Sequence, residues 1–148
     1  MKPLVIIKAG STFPTTQRHY GDFEDWVIDG CASIDPIFSA IDVIKGQELP
    51  EPDGISGVII TGSHSMVTDQ ALWMVKVEAW IPRVLEQNIP LLGICFGHQL
   101  LAQAMGGVVD YHYGGREIGT VPITLTPEGK QDPLTGTLPS VFVGHTTH

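Results

Sequence analysis

Basic residues are scarce in this chain: eight lysines and arginines stand against sixteen aspartates and glutamates in 148 residues, for a formal net charge of −8. The few cations are scattered, whereas a surface that neutralises a phosphate backbone needs them gathered, so nucleic acid is not expected as a partner. Cysteine is nearly absent, with Cys31 and Cys95 the whole set. Two such residues make no spaced framework, and a reducing compartment is the simpler expectation. No apolar run approaches the roughly 20 residues of a spanning helix, and no basic-then-apolar leader precedes the first strand pattern, so neither membrane nor export is expected. No glycine fingerprint follows the first strand, and no loop ends in Gly-Lys-Ser/Thr, which leaves a nucleotide site unsupported. Repeats and low-complexity tracts are also missing. Neither a cofactor nor a metal is called for. One acidic, cytoplasmic domain covering 1–148 is the expectation, long enough to bury a core.

What is present alternates. Leu4 to Lys8 is an apolar run and reads as a buried strand. Ala9 to Gly21 is polar and reads as a loop at its carboxyl end. Asp22 can cap a helix through about Cys31, with Glu24 and Asp25 in its first turn. Ile37 to Ile44 reads as a second strand, Gly46 to Gly57 as a surface connection, and Val58 to Ile60 as a third strand. A helix is expected from a cap at Thr68 or Asp69 to about Asn88, kinked or divided at Pro82, with Leu72, Val75, Ala79, Val84 and Leu85 inward. Pro90 to Ile94 is the fourth strand, with Leu91, Leu92 and Ile94 buried on both faces. After Gly107, residues 108–113 and 117–125 alternate about a Gly114-Gly115 turn and read as an antiparallel extension of the sheet. Pro127 to Pro139 is loop with one helical turn at Asp132 to Thr135, and Val141 to Val143 begins another strand. The class is α/β, a mostly parallel, doubly wound (flavodoxin-like) sheet with helices on both faces, whose ligands bind beyond the carboxyl ends of the strands.

The chemistry gathers at residues 90–102, Pro-Leu-Leu-Gly-Ile-Cys-Phe-Gly-His-Gln-Leu-Leu-Ala. Gly93-Ile94-Cys95-Phe96-Gly97 has the spacing of a nucleophile elbow, with cysteine at the centre. A sharp strand-to-helix turn forces the central residue into strained backbone space and leaves no room for side chains two positions away. The turn lifts the sulfur out of the sheet and aims the helix expected at His98 to Met105 toward it, where negative charge is stabilised. The plainer reading is a packed free cysteine beside a glycine turn, but a packed cysteine needs neither glycine. Attack by a thiolate creates an oxyanion that requires donors. The amide of Phe96 is one. Gly62-Ser63, after the third strand, is the natural second, unless Gly62 is only a turn residue. Gln99 lies one helical turn past Cys95 and can reach the same mouth.

Gly93 to Gln99 and the following Leu-Leu-Ala resemble the nucleophile motif of class I, triad-type glutamine amidotransferases. Ala9-Gly10, Gly21-Asp22-Phe23-Glu24-Asp25-Trp26, Thr61-Gly62-Ser63 and Arg116-Glu117-Ile118-Gly119 fall where small members similar to the GMP synthetase amidotransferase domain have related patterns. The resemblance implies that Cys95 attacks the glutamine side-chain amide, that the Gly62 loop helps form the oxyanion hole, and that Gln99 contacts glutamine. Arg116 and Glu117 frame the substrate side or are an exposed strand pair. It implies ammonia delivery to an acceptor synthetase. Here the chain has Gly-Ser-His where many members have Gly-Gly-Pro or Gly-Pro-Gly. It also implies a base, a late histidine with a glutamate two residues on. None of His19, His64, His98, His112 or His145 has that partner, and His148 is the last residue. The family's carboxyl-terminal part is therefore expected to be missing. His98 is expected to be solvated or packed, His64 is the one substitute base in reach of the oxyanion loop, and His145 and His148 can line the pocket. Two other classes stay open: a non-catalytic amidotransferase-like binding or regulatory module, and another cysteine hydrolase of small amides or peptides. Self-association covering apolar surface near Val141 to Val143 also stays open.

Overall fold

The apolar runs lie side by side as parallel strands. In the computed structural model, which describes residues 1–31, 33 and 36–147, β1 (Leu4–Lys8) is flanked by β2 (Phe38–Asp42) and β3 (Gly57–Ile60), and β4 (Leu91–Gly93) lies beyond β3. The order β2-β1-β3-β4 reverses direction at β1, and β1 and β3 run in register from Leu4↔Gly57 to Ile7↔Ile60. The chain forms two compact units, Met1–Val109 and Asp110–His148.

Period-two alternation assigns the faces of the first unit. Val5 and Ile7 of β1 and Val58 and Ile60 of β3 join the main core with Met74, Val77, Trp80, Ile81 and Val84 of α3 (Leu72–Glu86) and with Phe96 and Leu100 of α4 (Phe96–Ala104). Ile6 and Ile59 are buried on the opposite face. Lys8 shares that face and ion-pairs with Asp22 and Glu24, at the start of α2 (Phe23–Gly30). Helices therefore cover both faces. Asp22 caps α2 as expected, and in a reciprocal box Asp22 N–H donates to Asp25 at 2.8 Å.

Three expectations for this unit need correction. Residues 9–21 are not all loop: α1 (Pro14–Tyr20) lies within them. It buries no residue, so it carries no apolar stripe to read, and Pro14 at its first position was its main signal. The long helix starts later than Thr68 or Asp69. Residues Val67–Asp69 form a separate 3₁₀ turn, Gln70 adopts φ 51°, and α3 begins at Leu72 behind Ala71, which provides no side-chain cap. Its buried stripe is Met74, Val77, Trp80, Ile81 and Val84, while Leu72 is 83 % exposed and Val75 and Ala79 face solvent. Of the residues expected inward, Val84 is buried and Leu85 packs on the core. Both stripes are apolar, and only their rotation about the helix axis separates them. The helix runs through Pro82 undivided. Finally, β4 is an edge strand. Leu91 packs on the core, but Leu92 and Ile94 stay 37 % and 41 % exposed at this edge.

In the second unit β5 (Ile118–Thr124) pairs antiparallel with β6 (Val141–Thr147), Val121 opposite Gly144. Of the two antiparallel strands expected after Gly107, the one at 117–125 is present as β5, and it pairs with β6 in a two-stranded sheet. Residues 108–113 form no strand, and the expected turn closes with Gly115 N–H donating to the His112 carbonyl at 2.9 Å. The link from β5 to β6 holds α5 (Pro127–Gln131), capped by Thr126, and a 3₁₀ turn at Thr135–Thr137, so its helical turn lies earlier than the expected 132–135.

Candidate active site

Cys95 stands between β4 and α4 with φ 51° and ψ −107°, a left-handed backbone that non-glycine residues rarely adopt. The flanking glycines are steric necessities. A Cβ on Gly93 would lie 2.5 Å from the carbonyl carbon and oxygen of Gly97, and one on Gly97 would lie 2.4 Å from the Ile60 carbonyl oxygen. Both obstacles are backbone and cannot swing aside. Ile94 N–H donates to the Ile60 carbonyl at 2.9 Å, which ties the turn to β3. The Cys95 carbonyl accepts from the amides of His98 and Gln99, at 3.1 and 3.2 Å. The helix thus begins at Phe96, two residues before the expected His98, and Cys95 is its exposed N-cap residue.

The loop after β3 sits against this turn. A Cβ built on Gly62 would be 3.8 Å from the Cys95 Cβ, so the two strand ends meet. Among the described residues, the backbone amides of Gly62, Ser63 and Phe96 donate to no protein acceptor. Unpaired amides at a helix start and an adjacent strand end are the parts from which an anion site is built. Gln99, half-buried, follows one turn after Cys95 on α4. The structure therefore brings Cys95, Phe96, Gly62, Ser63 and Gln99 to one end of one sheet. Arg116 and Glu117 are exposed residues just before β5, in the other unit.

Sequence reasoning missed an ionic cluster beside these loops. Lys8, at the end of β1, donates to Asp22 at 2.7 Å and to Glu24 at 2.5 Å. Asp22 is buried, and also accepts from the amides of Thr12 (2.7 Å) and Phe23 (2.9 Å) and from Gln17 Nε2 (2.9 Å). Burial alone would raise the Asp22 pKa, but the Lys8 ammonium and the two amides outweigh it and hold the carboxyl at about 2. Burial likewise opposes the charge on Lys8, and its hydrogen bonds to Asp22 and Glu24 prevail and push its pKa up. The available signal was a lysine closing an apolar strand, since a buried ammonium requires a carboxylate.

The histidines are placed as follows. His64 is exposed, its ring packed 4.8 Å from that of Phe13 and 6.3 Å from that of Phe23. His98 is exposed on α4. His145 pairs across the hairpin with Thr120, Nδ1 to Oγ1 2.9 Å. His148 lies outside the described residues.

Comparison with known proteins follows the same lines. The family model for class I glutamine amidotransferases matches residues 33–147. A glutamine-hydrolysing GMP synthase of Lactococcus lactis is 35 % identical over 94 residues, covering 64 % of this chain and 17 % of that enzyme. Gamma-glutamyl peptidase 4 of Arabidopsis thaliana is 30 % identical over 115 residues, covering 76 % of this chain and 45 % of the peptidase. The crystal structure of a glutamine amidotransferase from Methylobacillus flagellatus superposes with a TM-score of 0.68 at 30 % identity, over 88 % of this chain and 49 % of that one. The chain spans about half or less of each of these proteins. With the family model matched over most of its length, the chain belongs to the class I glutamine amidotransferase family.

Proposed function

We propose that Cys95 is the nucleophile of an acyl transfer at the γ-carbonyl of a glutamyl group, with glutamine as the donor. The observation that carries this reading is the strained Cys95 backbone, clamped by two sterically required glycines at the head of α4. The thiolate would form an Sγ–Cδ bond. The oxyanion would be met by the amides of Phe96 and of Gly62 or Ser63. The Cδ–N bond would break, with the nitrogen leaving as ammonia after taking a proton. Water would then add to Cδ, and the Sγ–Cδ bond would break to release glutamate. Gln99 would contact the bound glutamine, and an acceptor synthetase would take up the ammonia. A cytoplasmic setting, with no nucleic-acid or membrane partner, is part of the proposal and rests on the acidic composition and the two free cysteines. No helix among the described residues is long and apolar enough to cross a membrane.

A second reading keeps the acyl site and changes the leaving group, so that a γ-glutamyl peptide is cut instead of glutamine. It is supported by the similarity to a gamma-glutamyl peptidase. A glutamine-mimicking chloroketone tests both. It should label Cys95 and spare Cys31, with glutamine or a γ-glutamyl dipeptide protecting, and the better protector identifies the substrate. Labelling of Cys31 with Cys95 untouched would overturn the proposal. The 148 residues contain no histidine followed two places on by glutamate, so ammonia release from glutamine by this chain is expected to be on the order of 10⁴-fold or more below that of a complete triad enzyme. Cys95-dependent turnover at a triad rate would show a base within these residues, with His64 the first to replace.

A further inference from the structure

The Gly62–Ser63 peptide beside Cys95 is held from behind by a side chain with no other evident task. Thr61 is fully buried at the end of β3. Its Oγ1 accepts from the Ala9 amide at 3.0 Å, and with that acceptor role filled it donates to the Gly62 carbonyl at 3.1 Å. The relay runs from the end of β1, through one hydroxyl, to the peptide that follows β3. A trans peptide points its carbonyl and its amide in opposite directions. Fixing the Gly62 carbonyl toward Thr61 therefore fixes the Ser63 amide away from it. That amide is one of those that lack a protein acceptor next to Cys95. The loop after β1 closes on the same peptide: a Cβ on Gly10 would fall 2.7 Å from the Ser63 Cα and 3.0 Å from the Gly62 oxygen. That loop is pinned in turn where the Thr12 amide meets the buried Asp22 carboxylate.

We infer that Thr61 is a positioning residue for the oxyanion site, its hydroxyl setting the orientation of the Gly62–Ser63 peptide relative to the Cys95 sulfur. The inference rests on the acyl-transfer reading above and adds a residue to it. A flexible glycine peptide samples several orientations, and an amide that must reorient during reaction loses most of the benefit of a preorganised donor.

The test compares two reactions of the same thiol in the 148-residue chain. A glutamine-mimicking chloroketone carries a carbonyl that must enter the oxyanion site before the Sγ–C bond forms and chloride leaves. Iodoacetamide alkylates the sulfur by direct displacement and needs no such site. In Thr61→Val, which keeps the shape and removes the hydroxyl, the maximal chloroketone rate should fall about tenfold or more, with half-saturating concentration and iodoacetamide rate within twofold of the parent. Thr61→Ser should restore the chloroketone rate. Gly10→Ala, which retains the hydroxyl and crowds the same peptide directly, should reproduce the selective loss, and it serves if the valine variant does not fold. Equal chloroketone rates in parent and Thr61→Val, or a parallel fall in both reagents, would overturn the positioning role and leave the acyl-transfer reading standing. A parent chain whose Cys95 takes iodoacetamide but shows no saturable chloroketone reaction would overturn both.

Discussion

Replacing Gly97 by alanine sets two energetic arguments against each other. Gly97 is the second residue of α4. By helix propensity alone alanine is better there by about 1 kcal/mol, and the loss of unfolded-chain freedom favours alanine by about 0.4–1 kcal/mol, partly the same effect. The structure places the new methyl 2.4 Å from the Ile60 carbonyl oxygen and 2.9 Å from its carbonyl carbon and Cβ. Relief of roughly 1 Å of overlap must move β3 or α4, because the obstacle is strand backbone. Overpacking of this kind costs about 1–3 kcal/mol and sometimes more. A clash against backbone belongs at the upper end, so the net expectation is a loss of about 2 kcal/mol. For a chain of this size that is a fall in Tm of about 4–8 °C. Gly30→Ala is the matched control: Gly30 closes α2, and a Cβ there meets nothing within 4 Å. It should leave Tm unchanged or raise it slightly. Thermal and urea unfolding of both variants, followed by circular dichroism, decides the matter. A Gly97→Ala variant as stable as the parent would refute the claim that the α4–β3 approach requires glycine.

Two further outcomes follow from the core and the ionic cluster. The Asp22 carboxyl is lowered from 3.8 to about 2 in the folded chain, a stabilisation on the order of 2 kcal/mol. That stability is fully present above the unfolded pKa and is lost as pH falls from about 5 through 2, so urea midpoints should drop over this window and Asp22→Asn should show a flatter acid limb. Asp22→Asn leaves the Lys8 ammonium with Glu24 as its one remaining carboxylate and should also cost about 2 kcal/mol at neutral pH. An unchanged midpoint at pH 7 would contradict that assignment. On α3, Ile81→Ala removes a fully buried side chain and should cost about 2–5 kcal/mol, whereas Leu72→Ala, at an exposed position, should stay within about 0.5 kcal/mol. Equal losses would return Leu72 to the core.

The parallel strands were legible because Leu4 to Lys8 and Val58 to Ile60 are continuous apolar runs, which only a strand covered on both sides accommodates. The elbow was legible because steric exclusion leaves a mark in sequence: glycine at 93 and 97 is what the backbone of Gly97 and Ile60 permits. Other features leave weaker marks. Burial on α3 depends on which of two apolar stripes meets the sheet, and composition does not fix that rotation. Edge position is a property of the whole sheet, so Leu92 and Ile94 look like core residues in sequence and stand partly exposed in the fold. The α1 segment buries nothing, and its periodicity is correspondingly blank. The meeting of Gly62 with Cys95 follows from strand order, which sequence suggested through the rule that ligands bind at carboxyl ends and through the family resemblance. The Thr61 relay joins residues 9, 61 and 62, and its pairing across 52 residues has no local signature.

The central claim is that Cys95 accepts a γ-glutamyl group. Its most direct test is acylation by the γ-glutamyl thiophenyl ester, whose leaving group departs as a thiolate and needs no histidine to protonate it. Mixing with the 148-residue chain should release thiophenol in a burst stoichiometric with protein. Peptide mapping after acid quench should find the γ-glutamyl group on Cys95, and Cys95→Ala should show no burst. Release without acylation at Cys95, or a burst that survives Cys95→Ala, would contradict the account.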